Sequence, residues 1–241
     1  MAKDSKVCMV QRRLGHKTSG VPESGSYNVC LSANQVKTLF GKKNIGGNAG
    51  CGTFACVWPR DDGKIVKITK DRDDIEGLMA AKGMGRVVAA HKLYELPGAG
   101  TDRKTGKTID LYAAVVEKLE PLKRVQRKAM AKPLEEARLI MLKRAQAHQG
   151  SHKDFTTSSD VKDKIVAKAC PRKGSQQKWC PGFIREFADL FTGLFQRGIA
   201  WQDAHTGNIG LDKNGKWKAL DLGYSGTQRR TEIPALNGPK K

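Results

Sequence analysis

Hydrophobic residues follow a helical spacing most clearly between Phe183 and Phe195. Apolar side chains occur there at positions i, i+1, i+4, i+7, i+8, i+11 and i+12, so one broad face of a helix is apolar. Pro181-Gly182 stands at the start and Gly198 follows the last apolar position, as expected at the two ends of a helix. The pattern predicts a long amphipathic helix that packs in a core.

Weaker patterns predict further helices. Ser32 can cap a helix over 33–40, and a second helix is predicted over 134–147. Apolar residues between 74 and 96 also fit a helical period, with an interruption near Gly83 and Gly85. We expect a helix in each of these places.

Three segments have the composition and turn residues of strands. Apolar runs around Asp61-Asp62-Gly63 predict a β-hairpin over 45–68, and Leu, Tyr and Val predict a strand over 110–119. A second hairpin is predicted over 209–220, with its turn at Asn214-Gly215.

Charge and composition narrow the class of protein. The 241 residues include 44 Lys and Arg against 24 Asp and Glu, which gives a formal net charge of +20. Because 39% of residues are hydrophobic, we expect a folded basic protein and not a disordered polycation. Residues 1–45 are polar, basic and rich in Gly and Ser, and we interpret them as a basic N-terminal extension. The positive charge predicts an acidic partner: nucleic acid, nucleotide phosphates or an acidic protein surface.

The apolar segments and the cysteines predict a cytoplasmic protein. The longest apolar run, 111–116, is far shorter than the roughly 18 residues that span a bilayer. Residues 1–4 lack the apolar region of a signal peptide. The six cysteines include no Cys-x-x-Cys pair, so reduced thiols are expected.

Four side chains offer a zinc alternative. His148 and His152 lie at helical spacing, and Cys170 and Cys180 could complete four ligands. Unligated side chains are favoured, because the residues around His152 are predicted to be loop and neither cysteine is in a tight pair.

A glycine-rich segment opens the first predicted hairpin. It runs Gly50-x-Gly52-x-Phe54-Ala55-x-Val57, and its small residues would let backbone N–H groups approach phosphate oxygens. A glycine turn without a ligand explains the segment equally well. The dinucleotide-binding fingerprint is excluded, because its glycines join a strand to a helix and not two strands.

Lys67 lies in the apolar return strand of this hairpin, ten residues after Val57. A lysine in a buried strand needs an anionic partner, which a nucleotide phosphate would supply. The alternative is a solvated strand edge, since Lys64 and Lys70 are close in sequence.

The most specific motif is Asp203-Ala204-His205-Thr206-Gly207-Asn208, thirteen residues before Asp221-Leu222-Gly223. Asp203 and Asn208 follow the predicted buried helix, and Asp221 follows a predicted strand. This arrangement predicts one base and two oxygen ligands, the donor type that Mg²⁺ prefers.

The order of these motifs resembles that of the protein-kinase-like superfamily, and the resemblance covers roughly residues 46–225. The order is the glycine loop, the strand with Lys67, a helix, the strand ending Val115-Val116-Glu117-Lys118-Leu119, the Asp203 loop and Asp221-Leu222-Gly223. The DxHxGN loop is closest in style to small atypical and bacteriophage serine/threonine kinases. The resemblance implies a two-lobed α+β fold, with a small antiparallel sheet in an N-lobe and hinge over 46–122. A shortened, mainly helical C-lobe would cover 123–241.

The resemblance also implies a role for each matching residue. Lys67 would hold the α- and β-phosphates of ATP and pair with Glu76, with Glu95 as an alternative. Asp203 would orient the acceptor hydroxyl, while Asn208 and Asp221 would bind Mg²⁺. The nucleotide-binding set is Gly50, Gly52, Thr53, Phe54, Val57, Lys67, Glu76, Val116, Glu117 and Leu119, of which the last three form the adenine pocket and hinge.

Several positions depart from the kinase pattern. Trp201 and Gln202 stand where regulated eukaryotic kinases have His and Arg, and Leu222 replaces the usual Phe. Activation by a phosphorylated loop is therefore not expected. Only 18 residues follow Gly223, which resembles the shortened C-lobe of certain phage kinases.

The expected function is an ATP- and Mg²⁺-dependent phosphotransferase acting on Ser or Thr of proteins. An acidic protein is the expected substrate, and autophosphorylation is a further reaction to test. A small-molecule kinase of the aminoglycoside-phosphotransferase-like branch stays open, as does a basic pseudokinase that binds nucleotide or nucleic acid. A pseudokinase would have lost at least one of the residues Lys67, Asp203, Asn208 and Asp221. All four are present. Nucleic acid is the less favoured partner, because the basic run 123–132 has no aromatic residue to stack bases.

Overall fold

A computed structural model describes residues 7–10, 27–41, 50–51, 55–171, 174–222 and 232–236. The chain forms two compact units. The first contains residues 1–75, 90–118 and 232–241, and the second contains 76–89 and 119–231. The described residues confirm an α+β protein.

The first unit contains a seven-stranded antiparallel sheet among its described residues, in the order β1-β2-β6-β7-β5-β4-β3. The predicted hairpin over 45–68 is confirmed as β4 and β5, and its turn contains Gly63 at a φ of 75°. The predicted strand over 110–119 is confirmed as β7, whose residues 111–116 are all buried. The strands are β1 (Val7–Val10), β2 (Tyr27–Leu31), β3 (Gly50–Cys51), β4 (Ala55–Pro59), β5 (Lys64–Thr69), β6 (Ala90–Asp102) and β7 (Thr108–Glu117).

Helix α1 (Ala33–Phe40) forms where the sequence predicts it. The Ser32 hydroxyl accepts a hydrogen bond from the backbone N–H of Gln35, and the Gln35 side chain accepts one from the backbone N–H of Ser32. However, residues 27–41 are not part of an extension. β2 pairs with β6, and the apolar residues of β2 and α1 lie in the core of the first unit. The polar composition of 1–45 hides this short apolar segment.

Helix α2 (Arg72–Ala80) is shorter than the helix predicted over 74–96. The prediction is wrong beyond Ala80, because Gly83 adopts a φ of 85° and the chain then enters β6. Leu93 lies opposite Ala114 in that strand. Pairing with β7 decides this conformation, and a local apolar period does not reveal such a partner.

The second unit is mainly helical. Its helices are α3 (Arg124–Ala147), α4 (Ser159–Ala169) and α5 (Cys180–Gln196), and its described strands are β8 (Glu120–Pro121), β9 (Ile209–Leu211) and β10 (Trp217–Ala219). The apolar face of α5 and the β9–β10 hairpin are confirmed as predicted. α3 begins ten residues before the predicted start, with Pro133 inside it, and α4 forms where the sequence analysis predicts no helix.

None of the described helices is both long and apolar enough to cross a membrane. The expectation of reduced thiols is wrong for the described cysteine side chains. Cys170 is bonded to Cys180, and Cys30 and Cys56 are also disulfide-bonded. Disulfides persist in oxidising environments, so the cysteines no longer support the predicted cytoplasmic location.

The Cys170–Cys180 disulfide joins the end of α4 to the start of α5. We expect the double variant Cys170→Ala/Cys180→Ala to lose about 2–3 kcal/mol of unfolding free energy, because the open loop is less restricted in the unfolded chain. Urea denaturation measures the loss, and a non-reducing peptide map should show the linked peptides. Free thiols at both positions in the folded, unreduced protein would contradict the pairing.

Candidate active site

Lys67 is buried in the sheet of the first unit. It lies on β5, opposite Val57 of β4 and Ala114 of β7, and only 7% of the residue is exposed. Its Nζ lies 2.6 Å from Oδ2 of Asp74, in the first turn of α2. Asp74 is 1% exposed, so the structure shows a buried ion pair at this position. A solvated strand edge is therefore not the environment of Lys67.

The resemblance assigned Glu76 as the partner of Lys67, and sequence analysis did not single out Asp74. Glu76 lies two residues further along α2 and is also buried. The alternative, Glu95, lies on strand β6 opposite Tyr112 and not on a helix. The signal for Asp74 was available in the acidic start of α2, because acidic residues stabilise the first turn of a helix.

The predicted adenine-binding residues lie at the end of β7 and just after it in the chain. Val116 is buried on β7 opposite Ile65, and Glu117 ends that strand opposite Lys64. Leu119 is the first residue of the second unit after Lys118. In the predicted phosphate loop, the backbone of Gly50 pairs with that of Val57, while Gly52, Thr53 and Phe54 lie outside the described residues.

The predicted catalytic loop begins at a fully buried tryptophan of the second unit. After α5, Gly198 turns the chain with a φ of 80°, and Trp201 packs with its ring centroid 5.9 Å from that of Phe187. Trp201 Nε1–H donates a hydrogen bond of 2.9 Å to the backbone oxygen of Asp221. This bond ties the start of the loop to the residue that the sequence predicts as a metal ligand.

Asn208 joins the other end of the loop to Asp203. Its Nδ2 donates to the backbone oxygen of Asp203 at 2.9 Å and to Oδ2 of the same residue at 3.1 Å. The backbone N–H of Leu220 donates to the backbone oxygen of Asn208 at 2.9 Å. Asp203, Asn208 and the backbone of Asp221 therefore belong to one hydrogen-bonded frame.

His205 braces the same loop. Its Nδ1 accepts a hydrogen bond of 2.9 Å from the backbone N–H of Gly207, so the neutral ring carries its proton on Nε2. That Nε2 lies 3.5 Å from Oδ2 of Asp203. A Cβ at position 207 would lie 2.7 Å from His205 Cε1, which explains the glycine.

Arg138 of α3 is a loop contact that sequence analysis missed. Its Nη1 donates to the backbone oxygen of Gln202 at 2.8 Å, while Nε and Nη2 donate to the two carboxylate oxygens of Glu135. Hydrogen bonding to Glu135 raises the pKa of Arg138, and the nearby negative charge of Asp203 adds to this effect. Only tertiary packing brings this guanidinium beside Asp203, so local sequence contains no signal for it.

The structure does not support the zinc alternative. Cys170 and Cys180 are bonded to each other, so their sulfur atoms are not available as thiolate ligands. His148 Nε2 lies 3.0 Å from the backbone oxygen of Ser151, and the ring of His152 lies against Phe195. Among the described residues, no group of three or more His, Cys, Asp or Glu side chains could hold a metal ion.

No protein-family model matches the chain, and none of the curated proteins is significantly similar to it. The kinase-like resemblance therefore stays a prediction from the sequence motifs.

Proposed function

We propose that this protein is an ATP- and Mg²⁺-dependent phosphotransferase with a kinase-like two-lobed fold, acting on Ser or Thr of acidic polypeptides. The frame that binds Asp203, Asn208 and the backbone of Asp221 together carries the proposal. A first unit rich in strands and a second unit that is mainly helical are consistent with it.

Asp203 has the properties required of the residue that orients the acceptor hydroxyl. Its side chain is 59% exposed, so a substrate can reach it, yet Asn208 Nδ2 holds the carboxylate in place. Phosphoryl transfer passes through a loose transition state that needs alignment more than a strong base. Asp203 would accept a hydrogen bond from the Ser or Thr hydroxyl and direct its oxygen at the γ-phosphate.

The oxygen atoms near Asp203 are suitable ligands for Mg²⁺. Both hydrogen bonds from the Asn208 side chain to Asp203 use Nδ2, which leaves Oδ1 as an acceptor of the kind this ion prefers. Asp221 would supply a carboxylate. When bound, Mg²⁺ would neutralise charge on the phosphate oxygens. Few protein ligands are needed, because Mg²⁺ in nucleotide sites takes other ligands from phosphates and water.

Lys67 would bind the phosphates of the same nucleotide. A buried ammonium is a stronger ligand for a phosphate than one in water, because the surroundings screen the charge less. Its ion pair with Asp74 compensates this charge and limits its motion while the nucleotide is absent. Asp74 is therefore proposed as the carboxylate that positions Lys67.

The proposal is tested by incubating the protein with γ-labelled ATP·Mg²⁺ and a cell extract, and by locating new phosphosites with mass spectrometry. We expect phosphoserine or phosphothreonine with the natural protein and at most background with Asp221→Ala. ADP release with metabolites and no protein phosphosites would instead indicate a small-molecule kinase. Salt-sensitive nucleic-acid binding without a thermal shift by ATP would indicate a non-enzymatic binder.

Arg138 provides a further prediction for this activity. Arg138→Ala removes the anchor of the Gln202 carbonyl, and we expect the transfer rate to fall about tenfold to a hundredfold as Asp203 becomes less well positioned. Arg185→Ala is the matched control, because it breaks an exposed ion pair with Asp163 between other helices. A steady-state assay measures kcat and KM, and equal activities of the two variants would contradict a positioning role.

A further inference from the structure

The first nine residues of α3 are less buried than the rest of the helix: Gln126, Ala129 and Met130 are half-buried and the other six are exposed. Arg124 to Lys132 are all described and none is buried, whereas the buried residues of the helix begin at Pro133. This segment contains four basic residues and no acidic residue. The start of α3 therefore has a half-buried side and an exposed, cationic side.

Four basic side chains share one face of this segment. Arg124, Arg127, Lys128 and Lys132 follow helical spacing and cover about 12 Å at 1.5 Å per residue. None of them makes an ion pair with the part of the chain that the structure describes. We call these four residues the cationic stripe.

One stripe residue is bonded to its own chain, because Arg127 Nε–H donates a hydrogen bond of 2.8 Å to the backbone oxygen of Leu122. The positive charges of the stripe nevertheless disfavour its own helix. Positive side chains are unfavourable near a helix N-terminus, where the backbone already carries partial positive charge. Like charges three and four residues apart also repel one another. An external anion would offset both effects.

The stripe lies on the same face of α3 as Arg138, which contacts the candidate active site. Arg138 lies fourteen residues after Arg124, close to four helical turns, so both project from the same face of α3 about 21 Å apart. Arg138 is the residue that holds the carbonyl of Gln202, next to Asp203. An extended ligand lying along the stripe would therefore reach the catalytic loop.

We propose that the cationic stripe docks an acidic segment of the polypeptide acceptor and delivers its Ser or Thr to Asp203. This inference rests on the proposed function and adds the docking surface and the chemical class of the substrate. The surface fits a polypeptide better than a nucleic acid. It has no aromatic side chain for base stacking, and Val125, 79% exposed, offers an apolar contact beside the charges.

Binding without ATP tests the docking surface separately from catalysis. A labelled peptide of alternating Glu and Asp around one Ser is titrated with the protein, and its fluorescence anisotropy is recorded at low and physiological ionic strength. We expect Lys128→Glu/Lys132→Glu to weaken binding at least about tenfold, since two attractions become repulsions. Lys164→Glu/Lys168→Glu on α4 is the matched control, with the same charge change and spacing at exposed positions, and should bind as the natural protein does.

The outcomes separate the docking surface from the enzyme activity. An equal loss of peptide affinity in the stripe variant and in the α4 control would overturn the proposal, because binding would then depend only on the net charge of the protein. Tighter, stripe-dependent binding of single-stranded DNA than of the peptide would also overturn it, in favour of nucleic acid. Stripe-dependent peptide binding without any phosphoryl transfer would support the docking surface and refute the phosphotransferase. Transfer to the peptide at the same kcat/KM by both variants would refute the docking surface alone.

Discussion

Asp203→Asn is expected to lower phosphoryl transfer about a thousandfold, within the range found for residues that handle the reacting proton. The amide cannot accept the hydroxyl proton, although it can still accept the hydrogen bond from Asn208 Nδ2 through its oxygen. The position is exposed, so the melting temperature should be almost unchanged. A rate assay with labelled ATP and a thermal melt on the same preparation measure both effects.

Asp212→Asn is the matched control for this variant. Asp212 is an acidic turn residue of the same unit, and its carboxylate accepts hydrogen bonds from the backbone N–H groups of Asn214 and Lys216. An amide oxygen can replace it there, so activity should stay near that of the natural protein. If Asp203→Asn and the natural protein transfer phosphate at the same rate, Asp203 does not orient the acceptor.

Lys67→Met is expected to destabilise the protein by about 3–5 kcal/mol and to abolish transfer. The substitution removes one partner of the buried Lys67–Asp74 ion pair and leaves the other in place, which costs more stability than removing both. Urea denaturation measures the loss of stability. Loss of activity in this variant alone would be ambiguous, because part of the protein could be unfolded.

The double variant Lys67→Met/Asp74→Asn separates the two effects. It removes both charges, so most of the lost stability should return, by at least about 2 kcal/mol relative to Lys67→Met. Transfer and ATP binding should stay absent, because the ammonium that binds phosphate is still missing. A double variant no more stable than Lys67→Met would contradict the ion pair, and ATP binding by either variant would contradict the role of Lys67.

Local sequence was sufficient to predict the elements that depend on residues close together in the chain. The apolar face of α5, the capped helix α1 and the hairpin at Asn214-Gly215 all form as predicted. The Asp203–Asn208 bonds join residues of one predicted loop. Such features depend on residues within one or two turns of each other, which periodicity and turn chemistry describe.

The features that sequence missed depend on distant partners. β6 becomes a strand because β7 pairs with it, and β2 belongs to the core because β6 lies beside it. Arg138 meets Gln202 only because α3 packs beside the Asp203 loop. The Cys170–Cys180 bond joins two helix ends that have no short motif. Nothing in the local pattern identifies these partners.

The proposed phosphotransfer requires Lys67 and the Asp203–Asp221 residues to act on one ATP. An acyl-phosphate derivative of ATP, which acylates a lysine amine next to bound phosphates, tests this requirement when the labelled lysine is identified by mass spectrometry. We expect labelling of Lys67 that excess ATP·Mg²⁺ prevents and that falls in Asp221→Ala. Labelling spread over exposed lysines, with Lys67 unmodified and no protection by ATP, would contradict it.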